Sequence, residues 1–250
     1  MGNVAGRVVA VIPARMGSTR LPGKPLARFG GDAMVVHVAR RVAAARVDEV
    51  LVATDDGRIA EAVRAAGFEA VMTGEHRSGT DRVAEAVAGR RGLALVINVQ
   101  GDEPLLPPEN VDALIAGMAA APGVEIGTLS RPLPAEARDD PNAVKVVLRR
   151  DGRALYFSRS LVPYPRRAEA AAALWRLHLG IYAFRPEALE RFVALPEGAL
   201  ERAEGLEQLR ALEHGMEIAV WEAPRDSWGV DTPEDLERAA AILAAAGKES

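Results

Sequence analysis

Four short apolar runs, each followed by a segment of helical periodicity, limit what this chain can fold into more than any other feature of its 250 residues. Residues 8–12, 49–53, 69–72 and 93–99 have the length and branched aliphatic content of buried strands. Between them, 33–45 carries an apolar face at Met34, Val35, Val38 and Val42, and 59–66 and 81–88 have helical spacing. Four strand-to-helix units in succession predict a parallel sheet with helices on both faces. The expected fold class is therefore α/β: a three-layer, Rossmann-like, mostly parallel sheet. Its strand ends gather Arg15, Lys24, Ser78, Gln100 and Asp102 along one edge, where open α/β sheets bind ligands.

The rhythm changes near Gly123. Residues 126–133, 144–148 and 155–158 read as strands without long helices between them, which suggests an antiparallel insertion forming a small subdomain. Residues 163–176 are rich in Pro, Arg and Ala and are expected to form a mobile or interface loop. A strand at 177–184, helices at 187–194 and 205–213, a strand at 217–222 and a final helix follow. Thr232 and Pro233 suit the N-cap and first turn of that last helix. With no internal repeat or linker, 1–250 reads as a single domain. Residues 1–123 form a nucleotide-binding half, about 124–185 an insertion, and 186–250 return to the main sheet.

The loop after the first strand carries the strongest chemical signal. Pro13 ends the apolar run, and Arg15, Gly17, Ser18, Thr19, Arg20, Gly23 and Lys24 follow. Glycines let backbone approach an anion closely, and cations balance its charge. Lys24 stands out because the chain has three lysines against twenty-eight arginines. A Walker A loop is excluded: five residues separate Gly17 from Gly23, and Pro25 stands where the magnesium-binding hydroxyl belongs. The glycine fingerprint of dinucleotide-binding oxidoreductases is also missing.

Two carboxylates are candidate metal ligands. Asp102 lies just past the central apolar run, and Asp231 just before the last helix. Each has a plain structural alternative, a turn-forming Asp at 102 and a helix cap at 231. Asp55 and Asp56 are explained by capping alone, and His37 suits a partly buried structural role. Two carboxylates beside an anion loop suit a hard cation, since magnesium prefers oxygen ligands shared with phosphate. Cysteine is absent, which excludes disulfides, zinc thiolates and thiol catalysis. A net charge of −4 gives no basic excess for nucleic acid, and no apolar run is long enough to span a membrane. Without a signal-peptide core, a cytoplasmic location is expected.

The segment PARMGSTRLPGKPL at 13–26 resembles the N-terminal signature of the 3-deoxy-manno-octulosonate cytidylyltransferase family. SGTDR (78–82), INVQGDEP (97–104), PNAVKVV (141–147), ALYFSR (154–159), HLGIY (178–182), LEQLR (206–210) and GVDTPEDL (229–236) continue the likeness in order along nearly the whole chain. HLGIY and LEQLR lean towards this family rather than the related N-acylneuraminate enzymes. The resemblance implies transfer of CMP from CTP to the anomeric 2-hydroxyl of a 3-deoxy-2-ulosonic acid, with pyrophosphate released, for lipopolysaccharide synthesis. It implies that Arg15 and Lys24 contact the triphosphate, with backbone at Ala14 holding the nucleotide and Ser78 and Gln100 helping to read the base. Asp102 and Asp231 would hold Mg2+. Arg159, His178, Tyr182, Glu207 and Gln208 would bind the acidic sugar, and the inserted strands would form a homodimer. Lys145 stands where relatives keep a lysine near the transferred phosphate. Asp81 replaces a Glu common among relatives, and 163–176 follows no family pattern. The rival readings are a cytidylyltransferase for another sugar acid, neuraminate-like or amino-substituted, and a non-catalytic nucleotide-binding protein.

Overall fold

A computed structural model of the chain describes residues 6–17, 21–167, 169 and 173–246. Ser18, Thr19 and Arg20 of the glycine loop, and part of the 163–176 segment, lie outside the described residues.

The chain opens with β1 (Arg7–Ala14), a single-turn helix at Lys24–Leu26, and a small hairpin of β2 (Arg28–Phe29) and β3 (Asp32–Ala33). Then come α1 (Met34–Ala43), β4 (Glu49–Thr54), α2 (Gly57–Ala65), β5 (Glu69–Met72), α3 (Gly79–Val87), β6 (Leu93–Asn98) and α4 (Pro108–Ala120). These are the expected strand-to-helix units. The strands pair in parallel in the order β5-β4-β1-β6. β1 shows why the layers number three. Because side chains alternate along a strand, Val8, Ala10 and Ile12 pack with α1, α2 and α4 on one face. Val9 and Val11 pack on the other with Val83 and Ala86 of α3.

The second half comprises β7 (Ile126–Pro132), β8 (Lys145–Leu148), β9 (Ala154–Ser158), β10 (Arg176–Phe184), α5 (Pro186–Ala194), α6 (Ala199–Glu204), α7 (Leu209–Glu213), β11 (Ile218–Glu222) and α8 (Pro233–Ala246). β10 runs antiparallel to both β6 and β7, and β11 closes the edge parallel to β7. β7 is therefore a strand of the main sheet, not the first strand of an inserted one. The antiparallel insertion is the β8–β9 pair, joined to the main sheet where Arg176 and Leu177 of β10 face Val146 and Lys145. One strand thus serves both parts, and its register slips between Leu179 and Tyr182.

The helix expected at 205–213 is shorter, α7 at Leu209–Glu213, and an additional helix, α6, precedes it and ends at Gly205 with φ 60. That left-handed conformation ends a helix and suits a residue without Cβ. α8 docks on the β2–β3 hairpin through Phe29, Met34, Val230 and Ala239, which carries the preceding segment across the sheet edge.

Candidate active site

Two cavities meet at the carboxyl ends of the parallel strands, and Gln100 lines both. The outer one, about 410 Å³, is lined by Ala14, Arg15, Gly17, Lys24, Ser78, Asp102 and Asp231. The sequence-predicted nucleotide and metal residues therefore share one space.

Its centre is Lys24. Gly23, at φ 69, makes the left-handed turn that starts the Lys24–Leu26 helix. From there Nζ donates to Asp102 Oδ2 at 2.8 Å, Asp231 Oδ1 at 2.9 Å and the Val230 carbonyl at 2.9 Å. Burial pulls the ammonium pKa down, but the charges and hydrogen bonds of Asp102 and Asp231 outweigh it, and the net shift is upward. Lys24 stays charged while it holds two carboxylates around one point.

Residues 101–104 and 228–231 reach that point by separate ties. Gly101 is required because a Cβ there would stand 2.9 Å from the Pro13 carbonyl. The Val230 amide donates to the Asp102 carbonyl at 2.8 Å, and Ser227 Oγ donates to the Glu103 carboxylate at 2.5 Å. Burial pushes the Glu103 pKa up to about 7. At the start of α8, Thr232 Oγ1 accepts from the Asp235 amide, while Asp235 accepts from the amides of Asp231 and Thr232. Thr232 and Asp235 therefore form the cap. Asp231 is not the capping side chain, and its carboxylate faces Lys24.

Two expectations from capping need correction or extension. Asp56 caps α2 through the Arg58 amide, but Asp55 does not cap; it pairs with buried Arg82 at 2.5 Å. Arg82 also donates to Thr73 Oγ1 and lines the outer cavity. Ser78 is both the N-cap of α3, accepting from the Asp81 amide, and a cavity residue. His37 is structural as expected, stacked on Phe29 with Nε2 at the Phe29 carbonyl.

The inner cavity, about 250 Å³, is lined by His178, Tyr182, Glu207 and Gln208 together with Thr80 and Gln100. A chain of hydrogen bonds runs from the central strand β6 to the cavity wall. Asn98 Nδ2 donates to Thr80 Oγ1 at 3.1 Å, and Thr80 Oγ1 donates to Glu207 Oε2 at 2.8 Å. Asn98 Oδ1, Tyr182 Oη and Glu207 Oε1 are buried without a protein partner. Burial raises the Glu207 pKa, with the hydroxyls of Ser78 and Thr80 pulling the other way. Burial likewise raises the Tyr182 pKa well above its usual value and pushes His178 down to about 3, so His178 is neutral at pH 7. Buried polar atoms are nearly always hydrogen-bonded, so Tyr182 Oη and Glu207 Oε1, both on the cavity wall, mark a place for a polar ligand.

Arg159 stands at the rim, not in the cavity lining. Its guanidinium donates to the carbonyls of Glu204, Pro141 and Gly205. Lys145 is fully buried and lies away from the charged cavity, with Nζ donating to the carbonyls of Asp140 and Arg159. Thr80 and Arg82 were missed as site residues, although SGTDR contains both. The signal was present in the motifs, but only the packing shows which side chains face the cavities.

The cytidylyltransferase family model matches residues 9–218. The 3-deoxy-manno-octulosonate cytidylyltransferase of Anaeromyxobacter dehalogenans strain 2CP-C is 54% identical over 95% of this chain and 98% of its own length. That of Syntrophotalea carbinolica is 50% identical over 94% and 98%. Among solved structures, CMP:2-keto-3-deoxy-manno-octonic acid synthetase complexed with CTP superposes with a TM-score of 0.90 at 45% identity, over 95% of this chain and 98% of that one. A cytidylyltransferase from Leptospira borgpetersenii, 19% identical with a TM-score of 0.63, shares the fold. The chain belongs to the cytidylyltransferase family, among the 3-deoxy-manno-octulosonate cytidylyltransferases.

Proposed function

We propose that this enzyme transfers CMP from CTP to the anomeric 2-hydroxyl of 3-deoxy-D-manno-octulosonate (Kdo) and releases pyrophosphate. The observation that carries the reading is the pair of cavities that share Gln100: one charged and sized for phosphates, the other lined by Tyr182 and Glu207, each with a buried polar atom that lacks a protein partner. A triphosphate in the outer cavity and a polyhydroxylated acid in the inner one bring the 2-hydroxyl oxygen towards the α-phosphorus. That oxygen forms the new P–O bond as the bond to pyrophosphate breaks in line. Phosphoryl-type transfer of this kind needs positioning and charge neutralisation rather than a covalent enzyme intermediate.

Arg15 and Lys24 supply charge for the departing pyrophosphate. Lys24 reaches it by exchanging its carboxylate partners for phosphate oxygens. Asp102 and Asp231 are the residues that would hold Mg2+. Their oxygens converge on one point, now marked by Lys24 Nζ, and a pair of carboxylates with phosphate oxygens is the donor set magnesium takes. When bound there, the ion supplies Lewis-acid neutralisation at the α-phosphate and lowers the pKa of the attacking hydroxyl. Ser78 and the backbone at Ala14 hold the nucleotide, while Gln100 sits between base and sugar. Glu207, Gln208, His178 and Tyr182 orient the sugar, and Arg159 at the rim supplies charge for its carboxylate.

The same reading makes the protein a homodimer through its inserted strands. Leu155 on β9, with Tyr164 and Leu174 beyond it, presents exposed apolar side chains on that part of the surface. No described helix is long and apolar enough to cross a membrane, and we take the site of action to be the cytoplasm, where CTP is made available.

Pyrophosphate release tests the function directly. With Mg2+, release is expected only when CTP and Kdo are both present, and not when UTP or ATP replaces CTP. Release with CTP and a neuraminate or an amino-substituted octulosonate, but not with Kdo, would move the enzyme to another sugar acid.

A further inference from the structure

The proposed chemistry leaves unused one buried hydroxyl that touches the inner cavity's histidine. Thr128, on β7, is fully buried, and its Oγ1 lies 2.7 Å from the Ile181 carbonyl, 3.1 Å from the Leu179 carbonyl and 3.0 Å from His178 Nε2. It sits opposite the register slip in β10, where the residues between Leu179 and Tyr182 fall out of the regular ladder. A bulge leaves backbone carbonyls in need of donors. The Thr128 hydroxyl answers that need from the neighbouring strand.

A hydroxyl has a single proton to donate. Carbonyl oxygens only accept, so the 2.7 Å contact with Ile181 commits that proton to the backbone. At the 3.0 Å contact with His178, Thr128 Oγ1 can then only accept, and the proton must be on Nε2. The ring is neutral, since burial holds its pKa at about 3. With one proton, on Nε2, Nδ1 carries a lone pair. Phe157 packs edge-on at 4.9 Å between ring centroids, and Tyr182 lies at 5.4 Å, so the ring is held on both sides.

We infer that Thr128 is a positioning residue for the sugar site: it fixes His178 as the Nε2–H tautomer, so that Nδ1 accepts a hydrogen bond from a substrate hydroxyl. On the same cavity wall, Glu207 Oε1 is a buried carboxyl oxygen without a protein partner. The inner cavity therefore presents an acceptor at His178 Nδ1. It recognises a ligand by the protons its hydroxyl groups donate and disfavours analogues in which those hydroxyls are replaced by ethers. The inference rests on the assignment of this cavity to the sugar, but the tautomer itself can be measured without any ligand.

The test is long-range 15N–1H NMR of the ring nitrogens, with the His178 signals assigned by their loss in H178Q among the chain's four histidines. In the ligand-free wild type, His178 Nε2 is expected at the pyrrole-type shift and Nδ1 at the imine-type shift. In T128V the ring should lose that single tautomer. The KM for Kdo should then rise about tenfold, with the KM for CTP within about twofold of wild type, as for loss of one hydrogen bond. T128S, which keeps the hydroxyl, should restore both the spectrum and the KM. A wild-type ring protonated on Nδ1 overturns the inference whatever the variants do, including a T128V that fails to fold. So does a folded T128V in which neither the spectrum nor the KM moves. If wild type shows the Nε2–H ring but no CTP- and Kdo-dependent pyrophosphate release, the tautomer assignment stands and the sugar assignment fails.

Discussion

In the outer cavity Lys24, Asp102 and Asp231 neutralise one another at 2.8 and 2.9 Å, whereas on the wall of the inner cavity Tyr182 and Glu207 each keep a buried polar atom without a protein partner. The difference follows from what each can tolerate. Three charges left without partners in a half-buried cleft would be far more costly than one lone polar atom on each of two residues, so the charged groups pair internally until a ligand replaces their partners. Single unpaired polar atoms cost less, and β10 together with the turn before α7 places them on the wall of a cavity of about 250 Å³. The outer site therefore works by exchange of partners and the inner one by prior arrangement. Charge changes outside should lower turnover, and polar changes inside should alter sugar binding.

The largest effect expected from this contrast is at Asp102. D102N keeps the shape and leaves Lys24 bound to Asp231 and the Val230 carbonyl. Turnover should fall by about 10³-fold, the scale of losing a charge-stabilising group from a transition state, with the thermal unfolding midpoint unchanged. A folded D102N enzyme of near-normal kcat would remove the metal assignment and the exchange argument with it.

Next comes the acid stability of the inner site. The folded His178 pKa of about 3 is below the ordinary 6.5, so between those values the unfolded chain binds a proton that the folded chain does not. Stability is therefore lost as pH falls from about 6.5 towards 3, at roughly 1.4 kcal/mol per pH unit from this group. In H178Q the acid limb should flatten by about 3 kcal/mol between pH 7 and 4, measured by urea unfolding. Parallel pH curves for the two proteins would mean that His178 is solvated.

The smallest effect sharpens the division. E207Q removes one acceptor while keeping the volume. The KM for Kdo should rise about tenfold, the worth of a single hydrogen bond, and the KM for CTP should stay put. Equal changes in both constants would show that the two cavities act as one.

How much of this was legible beforehand varied with the physics involved. The strands of the first half stood out because β1, β4 and β6 are buried on both faces and so read as continuous apolar runs. The Thr232 cap was visible from its spacing to Asp235, since capping is local. The role of Asp55 was not, because its partner Arg82 is 27 residues away. Gly205 was visible as a residue, but its left-handed conformation, which divides α6 from α7, was not.

The sequence by itself determined the layered α/β plan, the family and the set of motif residues, because these depend on periodicity, turn chemistry and ordered short signatures. Only the tertiary structure decided that Asp231 is a Lys24 partner, and that β7 is a strand of the main sheet. It alone decided that Gln100 joins two cavities, that Arg159 stands at a rim, and that Thr128 meets His178 across a register slip. Those facts turn on angles and contacts between residues 50 to more than 200 positions apart, such as Thr128 with His178 and Lys24 with Asp231. Linear spacing carries no record of which distant side chains will converge, because convergence is set by how the sheet and helices pack.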